Sequence, residues 1–392
     1  MFTLWKDEKD RKYIITIIVI MLCLKMLGAI FVNYYAYNGK TREGLIFRNS
    51  DIITQSKVSP TVLALGYHWD SIHYVNTSQM WEKHFKTAGQ LRNAAYLYPL
   101  MIAGVSKVTG NPILSAVLLS NLFSIMAVLA LYCLCRNFTS RFKSLAAALL
   151  LMTYPAFFAS GLLDYSEPAY IFFAIISWYF FEKDRYALSA LFCGFALCTR
   201  VSGIILLAVY VLVFILRVFK ESNTNRRLVL PPAGILFYAI PVIFLLLQTL
   251  ATKHFVLATG IRTESFNGFL PALKGHFTPV SMPFDQLQYF KDNTGQGLEM
   301  YMYIIPAFIL GIYLRKIRPG LTVYICTALL AVICISSEEV FRAFPRHLLN
   351  AWPMFVALGD LLTNRWILAT VCTFFFIGGL KLLDFYFTCC YI

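Results

Sequence analysis

Residues 111–135 read NPILSAVLLSNLFSIMAVLALYCLC. This stretch carries no charged side chain and exceeds the length of about 20 apolar residues that a helix needs to cross a bilayer. Similar apolar runs recur on both sides of it, and 59% of the 392 residues are hydrophobic whereas only 14% are charged. A soluble protein of this length could not bury so much apolar surface in one core. The sequence therefore predicts an all-α polytopic membrane protein.

The apolar runs leave no room for a separate soluble domain, so residues 1–392 are predicted to form a single membrane domain. Four basic residues between Lys6 and Lys12 precede the first run, which indicates a cytoplasmic N-terminus. Two long polar stretches, 38–95 and 252–298, then fall on the outer side, and we expect the first to carry short amphipathic helices. About eleven crossings are predicted, at residues 13–35, 111–135, 144–162, 169–181, 187–199, 202–219, 229–251, 299–314, 320–336, 347–362 and 366–388.

The basic residues indicate contact with membrane lipids rather than with nucleic acid. The net charge is +14, but the Lys and Arg side chains lie mostly between apolar runs and form no nucleic-acid motif. Loops that the topology places in the cytoplasm are positive or neutral, as the positive-inside rule requires. The ten cysteines lie mainly inside apolar runs and show neither zinc spacing nor a disulfide framework. A multi-pass protein in contact with anionic head groups is therefore expected.

Ionisable residues collect at the outer ends of the predicted helices. Because such residues are costly to desolvate, a set of them on one side of a membrane usually lines an aqueous cavity. Carboxylates mixed with arginines fit a site that binds an anionic phosphate and deprotonates a hydroxyl. The residues concerned are Asp70, Asp164, Glu167, Arg200, Arg342, Arg346 and His347, and a lone histidine such as the last is more often structural than catalytic.

Asp70 permits two interpretations. It lies between Trp69 and Tyr74, aromatic residues that can stack on a sugar or lie at the membrane interface. A carboxylate within reach of an acceptor hydroxyl can act as a general base. Asp70 followed by Ser71 is equally a plausible helix N-cap.

The other charged residues also permit two interpretations each. Asp164 and Glu167, before Pro168, are either solvated turn residues or groups that orient an acceptor or a neighbouring arginine. Two carboxylates could hold a divalent metal, but no third ligand is evident, so no cofactor is firmly implied and no metal ligands are assigned. Arg200, like Arg342 and Arg346, either extends to the head groups or binds a phosphate.

Five short stretches, taken in order, resemble motifs of the GT-C superfamily of membrane glycosyltransferases. Within that superfamily they are most similar to the family of the second GPI mannosyltransferase (PIG-V type) and its prokaryotic relatives. The stretches are HWDSIHY at 68–74, AYLYPL at 95–100, YSEP at 165–168, ALCTRVSG at 196–203 and FPRHLL at 344–349. The resemblance covers roughly residues 60 to 360 and implies a GT-C-like helical bundle.

The resemblance also implies an activity. It is the inverting transfer of a sugar, most often mannose in this family, from a dolichyl- or polyprenyl-phosphate sugar to a lipid- or glycan-linked acceptor on the non-cytoplasmic face. Asp70 would be the general base, and Arg200, Arg346 and Arg342 would bind the donor phosphate. The acceptor or the sugar would be positioned by His68, Trp69, Tyr74, Asp164, Glu167 and His347.

Two other functions fit the same charges. A secondary transporter or lipid flippase would use them for ion coupling, and it would be expected to carry ionisable residues near mid-membrane and broken helices in both halves of the chain. Lys25 and Lys381 lie within apolar runs, but the other charges gather at one edge, which favours an enzyme. A structural subunit of a glycosylation complex would keep the fold without chemistry and would tolerate Asp70→Asn. The short chain favours a prokaryotic cell membrane over the endoplasmic reticulum as the location of the protein.

Overall fold

The computed structural model describes residues 7–38, 58–66, 70–82, 95–200, 202–222, 232–259, 294–333 and 344–388. Within these ranges the regular secondary structure is entirely helical. The helices are α1 (Glu8–Asn38), α2 (Pro60–Gly66), α3 (Asp70–Glu82), α4 (Leu97–Thr109), α5 (Pro112–Cys135), α6 (Arg141–Thr153), α7 (Pro155–Leu162), α8 (Glu167–Glu182), α9 (Tyr186–Thr199), α10 (Gly203–Ser222), α11 (Pro232–Leu236), α12 (Ala239–Thr259), α13 (Thr294–Leu314), α14 (Pro319–Ile333), α15 (Phe344–His347), a 3-10 turn (Leu348–Ala351), α16 (Pro353–Leu361) and α17 (Arg365–Thr388).

Helix α5 lies at the centre of the fold. It begins where the Asn111 side chain accepts a hydrogen bond from the Leu114 backbone N–H at 3.0 Å, and Pro112 occupies its first turn. Most of its side chains are buried, because α4, α6 and α8 pack around it. The stretch from which the membrane fold was predicted is therefore the core helix of the molecule.

Helices α1 and α17 form the periphery. Their surfaces carry large apolar side chains such as Met26, Ile30, Trp366 and Phe374, each more than half exposed. A continuous exposed apolar face of this kind is what lipid contact requires. By length and composition α1, α5 and α17 could each cross a membrane, and the bent pair α6–α7 is a fourth candidate among the residues described. The count of about eleven crossings stays a prediction.

A proline break separates α6 from α7, whose axes differ by 65°. Residues 144–162 were predicted to form one continuous span. Pro155 has no N–H for the helical ladder, and its ring disfavours helical backbone at Tyr154, so the helix ends and restarts there. The bend directs α7 toward α17 and carries the chain into the turn at residues 163–166.

Two further features position charged residues. Arg200 lies in extended backbone between α9 and α10. Gly203 permits this tight connection, because a Cβ at that position would collide with backbone atoms of Leu197. Helices α2 and α3 lie within the predicted outer loop 38–95, and Asp70 is the first residue of α3. Most of that loop, and residues 260–293 of the second, lie outside the described residues.

Candidate active site

The turn between α7 and α8 is the point where the site is assembled. The backbone N–H of Asp164 donates to the Leu65 carbonyl in α2 at 2.9 Å. The backbone carbonyl of Asp164 accepts a hydrogen bond from Ser71 Oγ in α3 at 2.8 Å. Its side-chain Oδ1 accepts one from the Tyr98 hydroxyl in α4 at 2.7 Å. The consecutive helices α2, α3 and α4 are thus all held against a turn that lies far from them in the sequence.

Asp70, at the start of α3, forms an ion pair with Arg346. The distance from Asp70 Oδ2 to Arg346 Nη2 is 2.8 Å, and the Asp70 side chain is 37% exposed. Partial burial works to raise the pKa of Asp70, but the nearby positive charges of Arg346 and Arg200 outweigh it, and the pKa lies below its usual value. Asp70 is therefore an ionised carboxylate that reaches the solvent.

Glu167, the first residue of α8, links the two arginines of the site. Its Oε1 lies 2.8 Å from Arg346 Nε and 2.9 Å from Arg200 Nη1, and its side chain is only 3% exposed. Arg200 Nη1 also donates to Ser166 Oγ at 3.0 Å. The buried Glu167 carboxylate therefore fixes the positions of both guanidinium groups.

Arg346 is the most enclosed cation of the site, with a side chain that is 10% exposed. Its guanidinium carbon lies 4.7 Å from the centre of the Tyr165 ring, a cation–π contact. Burial works to lower the pKa of Arg346, but the charges of Glu167 and Asp70 raise it well above its usual value. Arg346 therefore stays charged at any physiological pH. The Arg200 side chain is more open, at 19% exposed, and its contacts within the described residues run through Nη1.

The charges of this cluster balance. Two carboxylates, on Asp70 and Glu167, face two guanidinium groups, on Arg200 and Arg346. Among the residues that the structure describes, no three His, Cys, Asp or Glu side chains converge in the way that metal ligands would. The site as a whole is a neutral, alternating chain of charges that is open to solvent at the Asp70 end.

The structure thus brings together four residues predicted from the sequence, namely Asp70, Glu167, Arg200 and Arg346. The orientation of a neighbouring arginine, one of the alternatives for Glu167, matches its contacts. His347 follows Arg346 at the end of α15 and is half-buried. Three predicted residues, His68, Trp69 and Arg342, lie outside the described residues.

Two predicted sugar or acceptor contacts need correction. Tyr74 is buried: its hydroxyl forms a hydrogen bond with Ser166 Oγ at 2.9 Å, and its ring packs edge-to-face on Tyr98 at 5.3 Å. Its face is therefore not available to stack on a sugar. Asp164 is 0% exposed, so its carboxyl group has no surface to offer an acceptor. Both residues lie behind the charged cluster and support it.

Several supporting residues were not assigned a role from the sequence. Tyr165 and Ser166 contact the arginines, Ser71 contacts the turn, and Tyr98 binds Asp164. All four lie inside the short stretches that were singled out or next to Asp70. Their hydroxyl and aromatic groups, within otherwise apolar helix ends, could have indicated a supporting role. Their contacts could not be predicted, because no spacing rule pairs residues so far apart in the chain.

Comparison with protein families gives a match that overlaps the site. Residues 93–257, less than half of the chain, match the model described as dolichyl-phosphate-mannose-protein mannosyltransferase. The matched stretch contains Asp164, Glu167 and Arg200, whereas Asp70 and Arg346 lie outside it. No curated protein sequence matches the chain.

Among solved structures, the fold is similar to the crystal structure of ArnT from Cupriavidus metallidurans bound to undecaprenyl phosphate. The TM-score is 0.50 at 14% sequence identity, and the match covers 75% of this chain and 55% of ArnT. This chain therefore spans about half the length of that protein. At this identity the similarity concerns the fold alone. The all-α architecture predicted from the sequence is thus supported, over the residues described, by an all-helical fold similar to that of ArnT.

Proposed function

We propose that the protein is an integral-membrane glycosyltransferase that transfers a sugar, mannose in our proposal, from a polyprenyl- or dolichyl-phosphate carrier to a lipid- or glycan-linked acceptor. The description of the family model that matches residues 93–257 names dolichyl-phosphate-mannose, and ArnT was crystallised with undecaprenyl phosphate. The observation that carries the proposal is the connected chain Asp70–Arg346–Glu167–Arg200, which combines a solvent-reaching carboxylate with fixed guanidinium groups.

Asp70 is the proposed general base. Arg346 donates a hydrogen bond to Oδ2 of Asp70. The exposed side of the Asp70 carboxylate can then accept the proton of the acceptor hydroxyl. The acceptor oxygen then attacks the anomeric carbon from the face opposite the phosphate. The new glycosidic bond forms, the bond from that carbon to the phosphate oxygen breaks, and the lipid phosphate leaves with the electron pair. Attack from the opposite face inverts the anomeric configuration.

The arginines are the proposed partners of the donor phosphate. A guanidinium carries five N–H donors, so Arg200 and Arg346 can bind phosphate oxygens while they keep Glu167 as a partner. When the phosphate shares the charge of Arg346, the hold of Arg346 on Asp70 weakens and the pKa of Asp70 rises. Donor binding would therefore make Asp70 a better base when it is needed.

The remaining predicted residues complete the proposal. Arg342, two residues before the start of α15, would supply a third guanidinium to the phosphate. His68 and Trp69, which directly precede Asp70, would contact the sugar or the acceptor, together with His347. The site would face the non-cytoplasmic side of a cell membrane, or of the endoplasmic reticulum in a eukaryote, where a membrane-embedded carrier can reach it.

The test is transfer of radiolabelled mannose in membranes that contain the full-length protein. Dolichyl-phosphate-[³H]mannose is supplied as donor, and the label is followed into the lipid and glycan fractions, so that the acceptor need not be known beforehand. We expect label incorporation to fall by at least about 100-fold in Asp70→Asn, since general base catalysis typically contributes 10²–10⁴-fold.

Asp184→Asn is the matched control. Asp184 is an exposed carboxylate in the turn after α8, at the opposite end of that helix from Glu167, and its removal should leave incorporation unchanged. Full incorporation by a folded Asp70→Asn protein would contradict the mechanism. Movement of the lipid carrier across the membrane without any transfer of label would instead support the flippase or transporter alternative.

A further inference from the structure

Asp164 differs from every other acidic residue of the candidate site. Its side chain is fully enclosed, and Oδ1 accepts the Tyr98 hydroxyl at 2.7 Å. Oδ2 has no hydrogen-bond partner within the described residues, which is also true of Oε2 of Glu167, but at Asp164 no ion pair reaches either oxygen. Both arginines of the site are instead bound to Glu167. A negative charge on Asp164 would therefore have the Tyr98 hydroxyl as a partner but no cation within the described residues.

We propose that Asp164 works as an uncharged carboxylic acid that positions the Asp70 helix and that it does not contact the substrate. This inference rests on the proposed function, because the residue that it positions is the proposed base. Asp164 is a positioning residue rather than a catalytic one in this scheme.

Burial makes a negative charge on Asp164 costly. An ionised carboxylate without a cation loses its hydration and gains nothing in return, so such a group takes up a proton instead. The titratable groups that face Asp164 are Tyr98 from α4 and Glu167 from α8, and neither is a cation. Burial, to which the charge of Glu167 adds, raises the pKa of Asp164 well above its usual value in spite of the Tyr98 hydrogen bond.

The neighbouring charged cluster is already balanced without Asp164. The Asp70, Glu167, Arg200 and Arg346 side chains are balanced among themselves. A third carboxylate charge at Asp164 would make the site net negative and would oppose the binding of an anionic phosphate. An uncharged Asp164 keeps the site neutral until the donor arrives.

Hydrogen bonds connect the backbone of Asp164 to the helix that carries Asp70. Ser71, the residue next to Asp70, donates to the backbone carbonyl of Asp164 at 2.8 Å. The Tyr98 hydroxyl fixes the Asp164 side chain, and the Leu65 carbonyl fixes its backbone N–H. Any movement of the turn is therefore passed directly to the first turn of α3, where Asp70 lies. A carboxyl group serves here as a rigid acceptor, not as a charge.

The experiment compares Asp164→Asn with Asp164→Ala in the purified full-length protein. Asparagine keeps the oxygen that accepts from Tyr98 and cannot ionise, whereas alanine removes that acceptor. Thermal unfolding in detergent is measured between about pH 5 and about pH 9. We expect Asp164→Asn to unfold at or above the wild-type temperature at the alkaline end and Asp164→Ala to unfold below it throughout.

The sign of the pH dependence follows from the raised pKa of Asp164. Its stabilising, protonated form is fully present below the ordinary carboxylate pKa and is lost as the pH rises through the folded-state pKa. The wild type should therefore lose stability relative to Asp164→Asn as the pH rises. This measurement needs no enzymatic activity, so its failure is distinguishable from a failure of the proposed function.

Asp360→Asn is the matched control for stability. Asp360 also accepts a tyrosine hydroxyl at 2.7 Å, from Tyr313, but it additionally binds Lys143 at 2.7 Å. The same substitution there removes a charge that has a cation and should lower the unfolding temperature. If Asp164→Asn is destabilised as much as Asp360→Asn, Asp164 is ionised and the inference is wrong.

The transfer assay gives a second, independent readout. Incorporation of mannose should stay within about twofold of wild type in Asp164→Asn and should fall by about tenfold or more in Asp164→Ala, through kcat rather than KM, because the position of Asp70 and not donor binding is disturbed. Rescue by asparagine is the result that separates an uncharged positioning role from a catalytic one. An Asp164→Asn protein as inactive as Asp70→Asn, with normal unfolding, would overturn the inference.

Discussion

At the scale of single residues, Glu167 is the side chain on which the site depends most. Its Oε1 accepts from both arginines in a nearly enclosed environment. Glu167→Gln would remove the negative charge that compensates the largely enclosed Arg346 and the more open Arg200. Removal of one partner from a buried ion pair typically costs about 3–5 kcal/mol of folding free energy. We therefore expect a clear fall in the unfolding temperature, measured by differential scanning fluorimetry, together with loss of transfer.

Glu182→Gln is the control for that substitution. Glu182 ends the same helix α8, but its contact with Arg318 is long, at 3.8 Å, and a glutamine oxygen can keep the hydrogen bond from Trp178 Nε1 at 3.2 Å. Such pairs contribute little to stability, so the unfolding temperature should hardly change. Equal losses in the two variants would show that Glu167 has no special role in holding the arginines.

Arg346 makes a second prediction at the residue scale, through its effect on Asp70. The positive charge of Arg346 is the strongest influence that lowers the pKa of Asp70. In Arg346→Gln the pKa of Asp70 should rise, so the acidic limb of the pH profile of transfer should move to higher pH. An acidic limb that does not move while overall activity falls would show that Asp70 is not the group that titrates.

The sequence was sufficient to identify these charged residues but not to pair them. Asp70 and Arg346 are 276 positions apart, and Glu167 could equally have been a solvated turn residue. A predicted topology assigns a residue to one edge of the membrane, but it does not predict which side chain that residue contacts. The burial of Asp164 and Tyr74 was missed for the same reason, because burial at a helix end depends on which other helices pack there.

At the scale of elements, α1 is held against α5 by a cluster of charges at its N-terminal end. Asp10 is buried and accepts from the Tyr132 hydroxyl at 2.7 Å and from Arg136 Nε at 2.8 Å. Asp10→Ala would leave these two donors without their acceptor. Loss of hydrogen bonds to a charged group corresponds to about 1–3 kcal/mol, so the unfolding temperature should fall measurably.

Glu8→Ala, two residues earlier on the same helix, is the control for Asp10→Ala. Glu8 pairs with Lys12 on an exposed surface, and such a pair adds almost nothing to stability. A similar effect of the two substitutions would mean that the Asp10 cluster does not anchor α1.

Helix positions were easier to predict than helix breaks. The bounds of α5 were predicted almost to the residue, because an uncharged apolar stretch of that length has few alternatives to a membrane-spanning helix. The predicted spans 144–162 and 347–362 are instead each interrupted, the first at Pro155 and the second by the 3-10 turn before Pro353. Proline was visible in both runs, but hydropathy alone does not distinguish a broken helix from a continuous one.

At the scale of the whole molecule, the ion pairs that involve buried or nearly buried carboxylates among the described residues lie toward opposite ends of the helices. Helix α5 is about 36 Å long at 1.5 Å per residue. Near its start lie Tyr98 and the turn of Asp164, and at its end Arg136 binds Asp10. Helix α8 likewise begins at Glu167 and ends at Glu182. The proposed site therefore occupies one end of the bundle, and the cluster that anchors α1 occupies the other.

Two matched cysteine substitutions can test on which side of the membrane each end of the bundle lies. Lys107, at the end of α4, and Lys183, in the turn after α8, are both exposed and belong to opposite ends of the bundle. With the N-terminus in the cytoplasm, a membrane-impermeant maleimide should label Lys107→Cys in intact cells, and Lys183→Cys only after permeabilisation. The parent chain, labelled in parallel, corrects for the ten native cysteines. The reverse pattern would place the Asp70 cluster in the cytoplasm, and a carrier-linked sugar would then have to be presented from that side.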